Sequence, residues 1–281
     1  MKETTPKKSL GQHWLYDEAT LDSICDSAHV QAGDHVLEVG PGLGSLTRKL
    51  LQRGAVVTAV ELDHTLALNL ESNLRDGFID RRLLENITVV EGDILRFNLR
   101  QLPRQYKVVA NIPYYLTSNL IRVLSESENP FSEAALLVQK EVAERVVAVP
   151  GQMSILSVSV QYYCQVSLGA FVPKKLFTPP PKVDSQVLEL NFRQTPLFND
   201  VATNVFFRLV KAGFSQKRKT LVNALSAGLA MPKEEARALL ASAGIEERSR
   251  AQALSLEQWH KLYTLHETHN KKQAASIKEP A

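Results

Sequence analysis

The chain predicts a parallel α/β sheet domain followed by a small all-helical unit, and three observations carry that expectation. Five short apolar runs alternate with helical patterns through the first two-thirds of the sequence, the signature of strands joined by crossover helices. A glycine-rich turn, Gly40-Pro41-Gly42-Leu43-Gly44, follows the first of those runs. Beyond Gln194-Thr195-Pro196 only helical periodicity remains. The expected division is therefore residues 1–195 and residues 196–281.

The apolar runs place strands at His35–Val39, Val56–Glu61, Ile87–Glu91, Lys107–Ala110 and Ala134–Gln139. Helical patterns lie near Ser45–Gln52, Leu66–Arg75 and Ser118–Ser125. Two later β-like runs, Tyr162–Phe171 and Gln186–Phe192, read as a closing hairpin. Four helical stretches follow, near Val201–Ala212, Lys219–Ala227, Lys233–Ala243 and Ser255–Thr268. The polar stretch Lys271–Ala281 reads as a disordered tail.

Composition excludes several classes. Hydrophobic residues make up 44% and charged residues 22% of the 281, an ordinary globular balance. No apolar stretch is long enough to span a bilayer, and the polar, basic start does not read as a secretory signal. Cys25 and Cys164 form neither a metal spacing nor a disulfide framework, so no metal is expected and a reducing cytoplasm fits best. The net charge of +3 is unevenly spread. Residues 1–195 hold 20 Lys+Arg and 22 Asp+Glu, and residues 196–281 hold 13 and 8. A basic module of net +5 beside a near-neutral domain of net −2 points to a nucleic acid partner.

The ends of consecutive strands carry the chemistry. Glycines in Gly40–Gly44 let backbone approach a ligand at the edge where open α/β sheets bind one. Their spacing departs from the dinucleotide pattern, and Pro41 removes a donor from any pyrophosphate cradle. Glu61, 21 residues after Gly40, is placed to take both ribose hydroxyls of a nucleoside. Asp93 ends the third strand and offers an acceptor to an adenine amine. Asp63 reads as a solvated helix cap. Together the set describes an adenosine-bearing cofactor without a pyrophosphate, S-adenosylmethionine rather than NAD.

At the fourth strand end stands Asn111-Ile112-Pro113-Tyr114. The Asn111 amide oxygen accepts from an exocyclic amine. Pro113 fixes the turn so that the Ile112 carbonyl faces a ligand, and Tyr114 offers a flat face for an unstacked base. Chemistry on adenine N6 is the expectation. Phe177 is a candidate to close the other face of the base. Lys7, Lys8, Lys217, Arg218, Lys219, Arg248 and Arg250 are candidate phosphate contacts. The run Lys217-Arg218-Lys219 is the strongest, because positive charge at a helix start opposes the helix dipole and needs another reason.

Eight segments in order resemble the ribosomal RNA adenine N6,N6-dimethyltransferases of the KsgA type. They are 8–15, Glu38–Thr47, Val60–Asp63, Gly92-Asp93, Asn111–Tyr115, Gln139–Arg145, Phe177–Ser185 and Phe214–Leu221. The resemblance implies a Rossmann-like class I methyltransferase domain with a small C-terminal all-helical domain. It implies S-adenosylmethionine as donor and small-subunit (16S) ribosomal RNA as acceptor, with two adjacent adenosines of the 3′-terminal hairpin loop as targets. A monomer acting on an assembling 30S particle is the expected working form. The family's binding positions fall on His13, Leu15, Gly40, Glu61, Asp93 and Asn111, with Gly42 in the same loop. His13 stands where Asn is frequent, Trp14 where Phe is frequent, and the loop near Met153–Ser157 looks shortened. The competing readings are a large-subunit (23S) adenine methyltransferase and a non-catalytic nucleic-acid-binding factor on the same fold.

Overall fold

The structure, a computed structural model, describes residues 6–7, 10–76, 80–113 and 115–276. Tyr114 and Lys8 lie outside the described residues. The chain forms two compact units, Met1–Glu144 with Tyr163–Arg193, and Arg145–Tyr162 with Gln194–Ala281.

The first unit opens with a two-residue strand β1 (Trp14–Leu15) and helix α1 (Glu18–Ser27), whose N-cap Asp17 accepts from the Thr20 N–H at 2.9 Å. Strand β2 (His35–Val39), helix α2 (Ser45–Gln52), β3 (Val56–Glu61), α3 (His64–Asp76) and β4 (Ile87–Glu91) follow. The chain then returns through β5 (Lys107–Asn111), α4 (Thr117–Ser125), β6 (Glu133–Gln139) and α5 (Lys140–Val146). After α6 (Ile155–Tyr163) come β7 (Cys164–Val172), β8 (Phe177–Thr178) and β9 (Ser185–Phe192).

Seven strands make one sheet in the order β4-β3-β2-β5-β6-β9-β7. The first five pair in parallel, and β9 joins β6 and β7 antiparallel. The connections run outward from β2 to β4, then jump back to β5 on the other side of β2. That reversal leaves a crevice at the carboxyl ends of β2 and β5, where such sheets bind ligands. The middle residues of both central strands, Val36–Val39 and Val108–Ala110, are buried because both faces of the sheet are covered. One core cluster joins Leu21, Ile24 and Cys25 of α1, Leu46, Leu50 and Leu51 of α2, and Val36, Val57 and Val109 of the sheet. Both cysteines are buried free thiols.

The second unit holds α7 (Thr203–Phe214), α8 (Leu221–Leu229), α9 (Lys233–Ala243) and α10 (Leu256–Ser276), packed around Phe206, Leu209, Leu225, Leu240 and Trp259. It also holds residues 145–162, which sequence reading left in the first domain. Gly151 and Met153 donate to the Gln252 carbonyl at 2.9 and 3.1 Å, and the Gln252 side chain donates back to the Gly151 carbonyl at 3.0 Å. The boundary after Arg193 falls two residues before the expected one.

Two other expectations need correction. Tyr162 and Tyr163 close α6 rather than open a strand. The alternation Val158-Ser-Val160-Gln-Tyr162 imitates a strand, yet helix packing buries Val158, Val160 and Tyr162. Lys271–Ser276 is helical rather than disordered. Lys, Gln and Ala are good helix formers. The remaining five residues of the expected tail lie outside the described residues.

Lys107, at the start of β5, fastens the sheet edge opposite the crevice. Its Nζ donates to the Ala28 and His29 carbonyls at 2.9 and 2.7 Å, satisfying the end of α1. It also pairs with Asp34 and Glu133 at 3.1 and 2.9 Å. Lys107→Met should leave two carbonyls and two carboxylates without their cation and cost about 2–3 kcal/mol. Urea unfolding should show a lower midpoint at an unchanged slope.

Candidate active site

The crevice is a cavity of about 200 Å³ lined by the carboxyl ends of four strands and by the segment Leu10–Leu15. His13, Leu15, Gly40, Gly42, Glu61, Asp93, Asn111, Ile112, Pro113 and Phe177 all line it. Ten expected site residues, dispersed over 165 positions of sequence, thus share one wall.

The loop after β2 owes its shape to glycine. Gly40, Gly42 and Gly44 have φ of 67°, 59° and 90°, which a residue with a Cβ adopts only at a cost. At Gly44 a Cβ would also come within 2.9 Å of Leu70. At Gly42 it would project toward the Trp14 indole, 3.7 Å away.

Glu61 ends β3 and is 6% exposed. Its Oε2 accepts from the Gly42 N–H at 3.1 Å and its Oε1 from the Asp63 N–H at 2.9 Å. Each oxygen keeps a lone pair for a hydroxyl donor. Burial raises the carboxyl above its usual range, opposed by those two N–H groups. Asp93 accepts the Leu95 N–H through Oδ1 at 3.0 Å, capping a short turn. Its other oxygen carries none of that cap.

Asn111 is held from behind. Its Nδ2 donates to the His13 carbonyl at 3.2 Å. That bond assigns the amide orientation and leaves Oδ1 as the atom to meet a donor in the cavity. Phe177 is 3% exposed, packs in the core with Leu15, Leu21 and Leu46, and pairs with Leu15 across the β1–β8 ribbon. It is a fixed wall. Tyr115, next to the undescribed Tyr114, is 63% exposed, and a Cβ on Gly11 would lie 3.6 Å from its ring. Partial burial and the Asp93 and Glu61 carboxylates all raise its phenol.

Three features escaped sequence reading. The first is how Leu10–Leu15 is tethered. Gln12 accepts from the Lys7 N–H at 2.7 Å and donates to Asp63 Oδ2 at 3.4 Å, and Lys7 Nζ pairs with that same oxygen at 2.8 Å. Asp63 caps α3 through the Thr65 and Leu66 N–H groups, as expected, but it is buried rather than solvated. Burial alone would raise its carboxyl; Lys7 and the two N–H groups outweigh burial and hold it below the ordinary range. Lys7 is thus engaged in an ion pair. The second feature is the Trp14 Nε1, buried in the cavity wall with no hydrogen-bond partner. The third is Glu38, also in the wall, whose buried Oε2 has none either. Orphaned polar atoms of both kinds, with acceptors at Glu61, Asp93 and Asn111, fit a polar adenosine-bearing group.

In the second unit, Lys217, Arg218, Lys219, Arg248 and Arg250 are all exposed. The Leu221 N–H donates to the Ser249 carbonyl at 2.8 Å, joining both basic runs at the start of α8. Among the described residues none of the five is in an ion pair. No helix among the described residues is long and apolar enough to cross a membrane.

A doubly wound sheet with a glycine loop, acids at Glu61 and Asp93 and an Asn-Ile-Pro turn following successive strands has the fold of a class I methyltransferase. Residues 3–267 match the family model described as ribosomal RNA adenine dimethylase, and the chain belongs to that family. Its methyl donor is S-adenosylmethionine. Among curated relatives, the ribosomal RNA small subunit methyltransferase A of Dehalococcoides mccartyi (strain CBDB1) is 41% identical over 91% of this chain and 87% of its own. That of Clostridioides difficile (strain 630) is 38% identical over 90% and 88%. Among solved structures, a dimethyladenosine transferase from Plasmodium falciparum superposes with a TM-score of 0.75 at 27% identity, covering 92% of this chain and 98% of its own. The 23S rRNA methyltransferase ErmE gives 0.71 at 29%, covering 90% and 98%.

The Lys7–Asp63 pair should add about 1 kcal/mol at neutral pH, since Lys7 is half exposed. A depressed carboxyl stabilises above its unfolded pKa, and that contribution is lost as pH falls through the folded value. Asp63→Asn keeps the helix cap and removes the pair. Its stability deficit in urea should be present at pH 7 and shrink as the pH is lowered below the ordinary carboxylate range; a deficit independent of pH would contradict the ion pair.

Proposed function

We propose that this chain dimethylates N6 of two adjacent adenosines in the 3′-terminal hairpin loop of small-subunit (16S) rRNA. It would act as a cytoplasmic monomer on an assembling 30S particle. The observation that carries the chemistry is the Asn111 amide, whose nitrogen is occupied by the His13 carbonyl and whose oxygen is thereby left for a substrate N–H.

Adenine N6 is a weak nucleophile because its lone pair is delocalised into the ring. Acceptance of its two N–H groups by Asn111 Oδ1 and the Ile112 carbonyl localises that pair and aims it. The donor, when bound, supplies an electrophilic sulfonium methyl. Glu61 and Asp93 orient the donor's ribose and base, and the glycine loop lets its backbone lie close. Tyr114 stacks on one face of the extruded base and Phe177 walls the site behind it. Rate then comes from positioning. The nitrogen loses its proton after it becomes cationic, so no dedicated base is needed. A once-methylated N6 keeps one N–H for the same acceptor, which permits a second round.

The exposed cluster of Lys217, Arg218, Lys219, Arg248 and Arg250 is the phosphate-contacting surface in this reading. Lys7 is set aside for Asp63. The small-subunit target is favoured over the large-subunit one because curated relatives at 38–41% identity bear the small-subunit name. Labelled S-adenosylmethionine with unmethylated small or large subunits separates the two, by where dimethyladenosine maps.

Asn111→Ala should bind the donor with near-normal affinity yet lose about a hundredfold or more in transfer, on the scale of one removed orienting hydrogen bond. Near-normal dimethylation by that variant would sink the assignment. Neutralising Lys217, Arg218 and Lys219 together should lower RNA affinity and flatten the log K against log[salt] slope by about 2. An unchanged slope would place the RNA elsewhere.

A further inference from the structure

Strand β7 ends the sheet on one side, and an aromatic ring stands out from it. The pairing of β7 with β9 slips by one residue between Leu168 and Phe171. In a regular strand those two side chains would point to opposite faces; the extra residue puts both on one face. Phe171 is 51% exposed there, although aromatic rings gain much from burial. Lys140 Nζ, at the start of α5, lies 5.6 Å from the ring centroid, a cation–π contact that steadies the ring and leaves it half open. Asp184 fastens the surrounding loop. Its carbonyl accepts from the Lys140 N–H at 3.1 Å and its Oδ1 from the Lys174 N–H at 2.9 Å. Lys174 Nζ in turn donates to the Lys182 carbonyl at 3.4 Å. Lys140, Lys174, Lys175 and Lys182 are all exposed. The acids of the α5 turn are Glu141, exposed, and Glu144, which reaches Lys140 at 3.7 Å. Among the described residues the other three lysines are in no ion pair.

This group borders the site. Residues 173–184 run from the end of β7 to the start of β9. Within them Phe177 lines the cavity, and the Pro179 carbonyl meets the His13 ring at 2.7 Å. Lys174 and Lys175 stand two or three residues before Phe177, and Lys182 stands three after Pro179. Exposed cations around a half-open aromatic ring suit single-stranded nucleic acid: lysines meet phosphates whatever the sequence, and the ring stacks on any base. An acidic peptide would satisfy the lysines but makes no particular use of a flat ring among them.

We propose that Phe171, Lys140, Lys174, Lys175 and Lys182 form a platform for unpaired nucleotides next to the target adenosine, with a base stacked on Phe171 and phosphates on the lysines. The platform works only if, as proposed above, RNA presents its adenine to Asn111. A nucleotide extruded into the cavity leaves its neighbours without a stacking partner. The Phe171 ring replaces that partner for one of them, and the lysines hold the backbone beside it. This surface touches neither the donor nor the reacting nitrogen, so its binding energy goes to RNA capture: it lowers KM and leaves kcat alone.

Steady-state transfer to a synthetic hairpin RNA with two adjacent loop adenosines, and to unmethylated small subunits, separates capture from chemistry. Phe171→Leu keeps the apolar bulk and removes the plane. It should raise KM for RNA about tenfold, the scale of one lost base stack. Its kcat and donor affinity should match wild type, and Phe171→Tyr should restore KM. Lys174→Gln combined with Lys175→Gln should flatten the log K against log[salt] slope by about 1.4, the share of two single-strand phosphate contacts. Benzoylphenylalanine in place of Phe171 should crosslink on irradiation to rRNA beside the methylated adenosines. A wild-type KM in Phe171→Leu, a KM that Phe171→Tyr fails to restore, an unchanged salt slope, or a crosslink to a protein of the particle would each overturn the platform. Should the wild-type protein methylate neither RNA, the reading of the site as an RNA methylation centre fails, and the platform falls with it.

Discussion

The site hangs on the buried carboxylate of Glu61. It receives one N–H from the glycine loop, at Gly42, and one from Asp63 at the start of α3. Those two bonds, with the Gly40 N–H to the Val60 carbonyl at 2.9 Å, tie the turn after β2 to the turn after β3. Asp63, oriented by that same bond, becomes the anchor for Lys7 and Gln12. One acid at a strand end therefore fixes the floor of the cavity and, through its neighbour, the segment that walls it. The carboxyl pays for this in desolvation, offset by two backbone donors, and retains acceptor capacity for a ligand.

The sheet was legible because its strands are short segments rich in β-branched and apolar residues set between helical patterns, and β2, β3 and β4 were readable to the residue even though β4, at the sheet edge, is not buried. Glu61, Asp93 and Asn111 were legible for a related reason: each is a polar residue closing such a run, where the sheet delivers it to the crevice. What was not legible depends on partners far away in sequence. Nothing local to Lys7 announces an acid 56 positions on. Nothing local to Glu38 distinguishes a surface acid from one sealed under α1 and α2. Residues 145–162 sit between two strands of the sheet in sequence yet bond to Gln252, a pairing that no periodicity encodes.

The segment Leu10–Leu15 explains why two departures from the family pattern are mild. At position 13 the contact to Asn111 is made by main chain, so His in place of Asn leaves it untouched. The His13 ring finds its own partner in the Pro179 carbonyl at 2.7 Å. At position 14 the aromatic body faces Gly42, a packing role that Phe and Trp share. The indole adds one buried N–H without a partner, a donor that Phe lacks.

The same segment touches both halves of the proposed reaction. It walls the cavity beside the glycine loop, and its His13 carbonyl sets the rotation of the Asn111 amide. An Asn free to flip would present NH₂ to the adenine amine half the time, donor against donor. Held by His13, it would present oxygen in each turnover of the proposed reaction and again to the monomethylated nitrogen. Orientation of the acceptor is thus a property of the folded segment rather than of the substrate. That is the requirement for one site to act twice on a nitrogen that loses a hydrogen in between.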